Sequence, residues 1–225
     1  MELEFYVADN LSEETILETL NEICNNCYAA EKERGDGQYE IATKTFDDVN
    51  EFVNHATNLR KIIGTHLEAD FSAKPKAQDY GSALHFHLHL ADENGTNIFT
   101  RTESGEYSPA LLHTLGGLLE TMLQNLKIFS PNDTGRFVEH DKNSPTHISW
   151  GPNNRSCALR LPDKPLDNKH IEHRVSSADA DIGQCVEAIL QGTIHGLHNK
   201  IDPSAPIYGN AWDTQYGLKR IIELS

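Results

Sequence analysis

The stretch Leu84-His85-Phe86-His87-Leu88-His89-Leu90 alternates apolar side chains with imidazoles. A two-residue period predicts a β-strand with two unlike faces, one apolar and one lined by His85, His87 and His89. Two further stretches repeat this logic. Residues 2–8 set Glu2 and Glu4 against Leu3, Phe5 and Val7. Residues 37–44 (GQYEIATK) alternate as well, behind a turn at Gly35-Asp36-Gly37. Shorter strands are predicted near 69–74, 146–150, 156–161 and 169–175, beside the 83–90 strand.

Between them lie helical patterns. Residues 11–30 carry Ile16, Leu17, Leu20 and Ile23 at helical spacing behind Ser12, and 46–66 carry Phe52, Val53, Leu59, Ile62 and Ile63. Ser108-Pro109 opens a third helix to about residue 127, and a fourth covers 178–199. The region 129–154 is rich in proline and glycine and reads as loop. Several strands follow one another with no helix between. The pattern therefore predicts an α+β fold, a mostly antiparallel sheet with helices packed on one face.

A chain of 225 residues suits a single domain, here residues 1–225. No apolar run is long enough to span a bilayer, and the acidic start Met1-Glu2-Leu3-Glu4 reads as neither a signal nor a transit peptide. A cytoplasmic location is the expectation. The net charge of −15 argues against nucleic acid and anionic membranes as partners, because the long-range field has the wrong sign. It favours cations. Cys24 and Cys27 form a lone C-x-x-C inside the first helical pattern, with Cys157 and Cys185 far away. A zinc site would need a second pair at similar spacing, so reduced thiols are expected.

Four predicted strands place ionisable groups on one side: Glu2 with Glu4, Gln38 with Glu40, His85 with His87 and His89, and His170 with Glu172 and Arg174. Any single pair fits a solvated strand face. Four together point to carboxylates and imidazoles converging on one groove. Bare carboxylates at close range raise one another's pKa, and a divalent cation removes that cost. Oxygen ligands with one imidazole favour Mg²⁺ or Mn²⁺ over zinc.

The blocks E-L-E-F (2–5), E-x-x-x-G-Q-x-E (33–40), G-S-x-x-H-x-H (81–87), N-R-S-x-x-x-R (154–160) and I-E-x-R (171–174) occur in this order. Their order and internal spacing resemble the catalytic domain of glutamine synthetases. Phe71, Lys74-Pro75 and the segment HNKIDP (198–203) extend the likeness over about residues 2–215. The resemblance implies two Mg²⁺ or Mn²⁺ ions, one on Glu4, Glu33 and Glu40 and the other on Glu2, His85 and Glu172. It implies that Arg155 and Arg160 hold ATP phosphates, and that Arg136 and Arg174 lie near phosphate and substrate carboxylate. Guanidinium forks suit both anions. His87 falls beside the metal on the substrate side. The implied reaction activates a carboxylate with ATP and then joins it to an amine. Partners are thus a nucleotide and a small carboxylate or amine, and the family's rings suggest a homo-oligomer.

Departures narrow this. The family's amino-terminal β-grasp domain has no counterpart in residues 1–225, and only 28 residues separate Glu4 from Glu33. Tyr80 stands where the family has an asparagine, and His89 where it has a nucleotide-side serine. The glutamate that serves as base in amination aligns with Asn143, which cannot take up a proton at neutral pH; Asp141 or Glu139 are the nearby substitutes. The phosphate-and-metal half is kept and the ammonia half altered. That favours a ligase or phosphotransferase with an unidentified acceptor over glutamine synthesis. Two alternatives stay open: a non-catalytic metal- and nucleotide-binding protein, and a zinc or iron enzyme built on His85-x-His87.

Overall fold

β1 (Glu2–Tyr6) forms where the alternation predicts it, with Leu3 and Phe5 fully buried and Glu2 and Glu4 half-buried. It belongs to a computed structural model that describes residues 1–8, 11–24, 27–101, 106–132, 135–137, 145–165 and 168–222. The chain divides into two compact units. The first comprises Met1–His85, Phe129–Arg136 and Ser176–Val186, and the second Phe86–Ile128, Phe137–Val175 and Glu187–Ser225.

In the first unit, α1 (Glu13–Ile23) starts at Ser12, whose hydroxyl accepts from the Thr15 N–H. β2 (Cys27–Lys32) and β3 (Gln38–Thr43) form a hairpin turned at Gly37, whose φ of 79° suits only a residue without Cβ. α2 (Val49–Leu67) is capped by Asp48 and buries Ala56, Leu59, Ile63 and Leu67. β3 pairs antiparallel with β2 on one side and with β1 on the other. β1 in turn pairs with the start of β4 (Leu84–Leu88), Glu2 opposite His85. Phe5 is a centre of this core, its ring 5.4 Å from that of Phe71.

Two expectations need correction here. The helix predicted over 11–30 ends at Ile23, and Cys27–Lys32 is a strand, so the C-x-x-C spans a helix end and a strand start. β3 offers an open edge, and the hydrogen-bond ladder gained there outweighs the modest helix preference of Ala29-Ala30-Glu31-Lys32. The strand predicted at 69–74 shrinks to one bridge, Tyr6 with Asp70. The four cysteines are free thiols.

In the second unit the rest of β4 pairs with β7 (Ile171–His173), which pairs with β6 (Leu159–Leu161), which pairs with β5 (Trp150–Pro152). Only β5 and β6 run parallel among the described strand pairs, so the fold is α+β with a mostly antiparallel arrangement. The strands predicted at 146–150, 156–161 and 169–175 are thus shorter or shifted. α3 (Pro109–Thr121) ends earlier than its pattern suggests, ahead of a short α4 (Leu126–Phe129). α5 (Ile182–Asn199) has its last thirteen residues in this unit, and there it crosses α3 at a glycine contact. A Cβ on Gly117 would lie 2.2 Å from the Gly192 carbonyl oxygen and 2.5 Å from Gly196 Cα. Among the described residues, no helix is long and apolar enough to cross a membrane.

Candidate metal centre and arginine cluster

Register aligns the acids of the first unit. Glu40 on β3 lies directly opposite Glu4 on β1 and opposite Glu31 on β2. Ligand atoms of Glu4, Glu40 and His85 all lie within 4.8 Å of one another, and so do those of Glu31, Glu33 and Glu40. His85 is buried, and its Nδ1 is 3.2 Å from an oxygen of Glu2, its cross-strand partner. The imidazole face of β4 is therefore not a solvated one at His85, while His89 lies beyond the strand and is exposed.

Gln38 fixes Glu4. Its Nε2 donates to Glu4 Oε2 at 3.2 Å and to the Gly81 carbonyl at 3.1 Å, and its Oε1 accepts from the Gly35 N–H. The Ala83 N–H donates to the same Glu4 oxygen at 2.8 Å. The Tyr6 hydroxyl donates to the Tyr80 carbonyl at 2.9 Å. The glutamine of G-Q-x-E and the glycine of G-S-x-x-H-x-H thus serve one purpose, the orientation of Glu4. Gly81 also has a steric reason to lack a side chain. A Cβ there would lie 2.7 Å from the Cβ of Arg136 and 2.9 Å from the Ala73 carbonyl oxygen. Arg136 itself is buried in this unit.

Glu40 is only 8 % exposed. Burial, reinforced by the carboxylates of Glu2, Glu4, Glu33 and Glu31, pushes its pKa up to about 10. Among the described residues its carboxylate accepts no hydrogen bond. A buried acid ringed by acids is the environment that a divalent cation relieves. The donors are carboxylate oxygens with a single imidazole, which fits Mg²⁺ or Mn²⁺ better than zinc. No described ligand cluster holds more than one histidine.

The second unit holds a different arrangement. Glu172 is fully buried on β7, and Arg160 on β6 is its cross-strand partner. Arg160 Nη1 donates to Glu172 Oε2 at 2.9 Å, and Arg174 Nη1 donates to Oε1. Arg160 Nη2 also donates to Asn153 at 2.6 Å. These charge-assisted pairs fix the orientation of the Glu172 carboxylate. His87 faces Glu172 from β4, and its ring centroid is 5.1 Å from that of His170. Burial lowers the His170 pKa to about 4, so that ring is neutral near pH 7. Arg155 is exposed at the tip of the loop before β6. Its neighbour Asn154 ties that loop down by donating to the Ile207 and Gly209 carbonyls at 2.9 and 2.7 Å.

In the first unit, then, the structure brings Glu4, Glu40 and His85 together, with Glu2 on His85, and groups Glu33 with Glu40 and Glu31. In the second it brings Glu172, Arg160 and Arg174 together. Glu31 falls outside the sequence-based candidates because 11–30 reads as a helix and residues 31–32 are assigned to no strand. Its signal was positional: it precedes Glu33 by two residues, the spacing at which a strand repeats a face. Glu139, Asp141, Asn143 and Ser144 lie outside the described residues.

The family model described as "Glutamine synthetase, catalytic domain" matches residues 4–224. Gamma-glutamylputrescine synthetase of Escherichia coli (strain K12) is 32 % identical over 224 residues, which cover 95 % of this chain and 47 % of that protein. Glutamate–isopropylamine ligase of a Pseudomonas species is 30 % identical over 204 residues, 88 % of this chain and 44 % of that one. Glutamine synthetase of Pyrococcus abyssi (strain GE5 / Orsay) is 31 % identical over 187 residues, 82 % and 41 % of the two chains. The chain spans about half the length of the curated relatives it matches. A solved structure titled "GmaS/ADP complex-Conformation 1" superposes with a TM-score of 0.81 at 20 % identity, over 97 % of this chain and 59 % of that one; it shows a shared fold.

Proposed function

This chain belongs to the glutamine synthetase catalytic-domain family, and on that premise we propose that it uses Mg²⁺ or Mn²⁺ and ATP to activate a carboxylate for attack by an amine. The observation that carries the reading is Glu40, a buried carboxylate in register with Glu4 and Glu31 and surrounded by further acids. In the first unit Glu2, Glu4, Glu33, Glu40 and His85 would hold divalent cations, with Gln38 and the Ala83 N–H keeping Glu4 in place. In the second unit Glu172 would serve as a cation ligand. Bound cations supply charge neutralisation at the terminal phosphates.

The arginines follow from their surroundings. Arg155, exposed on a tethered loop, is free to reach a nucleotide's phosphates. Arg160 and Arg174, held by Glu172, present the rest of their guanidinium forks at fixed angles. Arg136, buried in the first unit, and His87, on β4 in the second, are each assigned to substrate. In the reaction an oxygen of the substrate carboxylate attacks the terminal phosphorus and ADP leaves. The amine nitrogen then attacks the acyl carbon, and inorganic phosphate leaves with the oxygen. Relatives named for putrescine, isopropylamine and ethanolamide products make an organic amine the first acceptor class to test.

The test is a coupled assay for ADP release with Mn²⁺ or Mg²⁺, ATP, L-glutamate and a panel of amines, beside a thermal-shift series with Mn²⁺, ATP and Mn²⁺-ATP. Amine-dependent ADP release, abolished by chelator, is the expected result. A melting temperature raised by Mn²⁺-ATP with no ADP release over the panel selects the non-catalytic binding protein instead. A melting temperature indifferent to both ligands overturns the reading.

A further inference from the structure

The acids of the first unit outnumber the ligands that its motifs account for. Glu31, Glu40 and Glu4 occupy one rung across three neighbouring strands, β2, β3 and β1. Two ligand triads share this rung, Glu4–Glu40–His85 and Glu31–Glu33–Glu40, each with donor atoms within 4.8 Å of one another. Glu40 belongs to both.

We propose that Glu31 is a metal-binding residue: with Glu33 and Glu40 it forms an outer divalent-cation position, one strand outward of Glu4. Glu40 is the carboxylate shared between this position and an inner one at Glu4 and His85. The assignment rests on the metal-dependent reading above and adds a ligand to it.

Glu40 distinguishes this from a patch of solvated acids. The residue is 8 % exposed, and among the described residues its carboxylate accepts no hydrogen bond. A carboxylate in that condition needs a positive partner, and a bridging carboxylate has the lone pairs for two. Glu31 and Lys32, the last two residues of β2, face opposite sides of the strand, and Glu33 follows with its N–H donating to the Gln38 carbonyl at 2.9 Å. Lys32 is engaged by Glu13 at 2.7 Å. Glu31 is exposed and Glu33 half-buried, so the outer position is open on one side. An open set of carboxylates that leaves room for water suits Mg²⁺ or Mn²⁺, which shed their hydration reluctantly.

The experiment is Mn²⁺ binding followed by calorimetry and by the electron paramagnetic resonance of the free ion, without nucleotide. The proteins are the wild type, Glu31→Gln, Glu31→Asp, His85→Ala and Glu18→Gln, an exposed α1 residue that controls for loss of one surface charge. Metal-free melting curves verify that each variant is folded. Glu31→Gln is expected to weaken one Mn²⁺ site by about tenfold or more and leave another within about twofold, with Glu31→Asp in between. His85→Ala should weaken the other site. A Glu31→Gln protein that binds Mn²⁺ like the wild type, or no worse than Glu18→Gln, overturns the assignment alone. A wild type that takes up no Mn²⁺ overturns the metal-dependent reading and Glu31 with it.

Discussion

Glu40 and Glu172 are the same residue type, both withdrawn from water, in opposite electrical surroundings. Glu172, fully buried, accepts from two guanidiniums, so the chain supplies its counter-charge. Glu40, 8 % exposed, has four carboxylates as its strongest electrostatic neighbours. A buried charge with a fixed partner contributes to a rigid site, whereas one without a partner must hold a proton or recruit an ion. Glu172 meets guanidinium groups of its own unit, whereas Glu40 meets mainly further acids. That division matches the roles proposed above, with anions held beside the arginines and cations beside the acids.

The sharpest way to break the contrast is Arg174→Ala. It strips a buried carboxylate of one partner and should cost about 3–5 kcal/mol in chemical denaturation. A loss under about 1 kcal/mol would mean that Glu172 does not depend on its arginines. Gly81→Ala acts on the other side of the comparison, since the new Cβ meets Arg136 and the Ala73 carbonyl at overlapping distances. Denaturation should report a loss of about 1–3 kcal/mol, with weaker Mn²⁺ uptake as the Gln38–Gly81 contact shifts.

Glu40→Gln should do the reverse in metal-free protein. It should raise stability at pH 8 by about 1 kcal/mol, a melting shift of about 2–4 °C, while removing the increment that Mn²⁺ confers. The pH dependence carries the same sign. Glu40 keeps its proton in the folded state up to about 10, against about 4.3 in the unfolded chain. Over that window the folded state binds more protons, so metal-free stability is fullest below the lower value and declines as pH rises towards the upper one. Melting curves from pH 5 to 9 with chelator should show this slope, and Glu40→Gln should flatten it. The smallest expected change in stability, within about 0.5 kcal/mol, belongs to the exposed Arg155→Ala, even as Mn²⁺-ATP binding falls. Nucleotide affinity equal to wild type would remove Arg155 from the phosphate role.

Much of the fold is legible in the residues alone. The alternation in residues 2–8 and 84–88 marked strands because burial of Leu3, Phe5, Leu84 and Phe86 demands a two-residue period. Ser12 and Ser108 marked helix starts through local side-chain caps. β2 was not readable, because Cys27–Lys32 has an irregular burial pattern and its partner edge is made by a strand further along the chain. Glu31 was lost with it. The pairing of Arg160 with Glu172 was equally hidden, since it depends on which residues of β6 and β7 lie opposite each other.

Spacing within each segment is a local property, so the chain's own residues settled which positions face the same way and which carboxylates and imidazoles share a strand face. The order of the motif blocks settled the family. Partnership across strands is not local. Only the register of β3 against β1 and β2 decided that Glu40 stands between Glu4 and Glu31, and only the register of β6 against β7 decided that Glu172 meets Arg160. A slip of one residue in either ladder would turn these side chains to the opposite face, and no short stretch of sequence contains that choice.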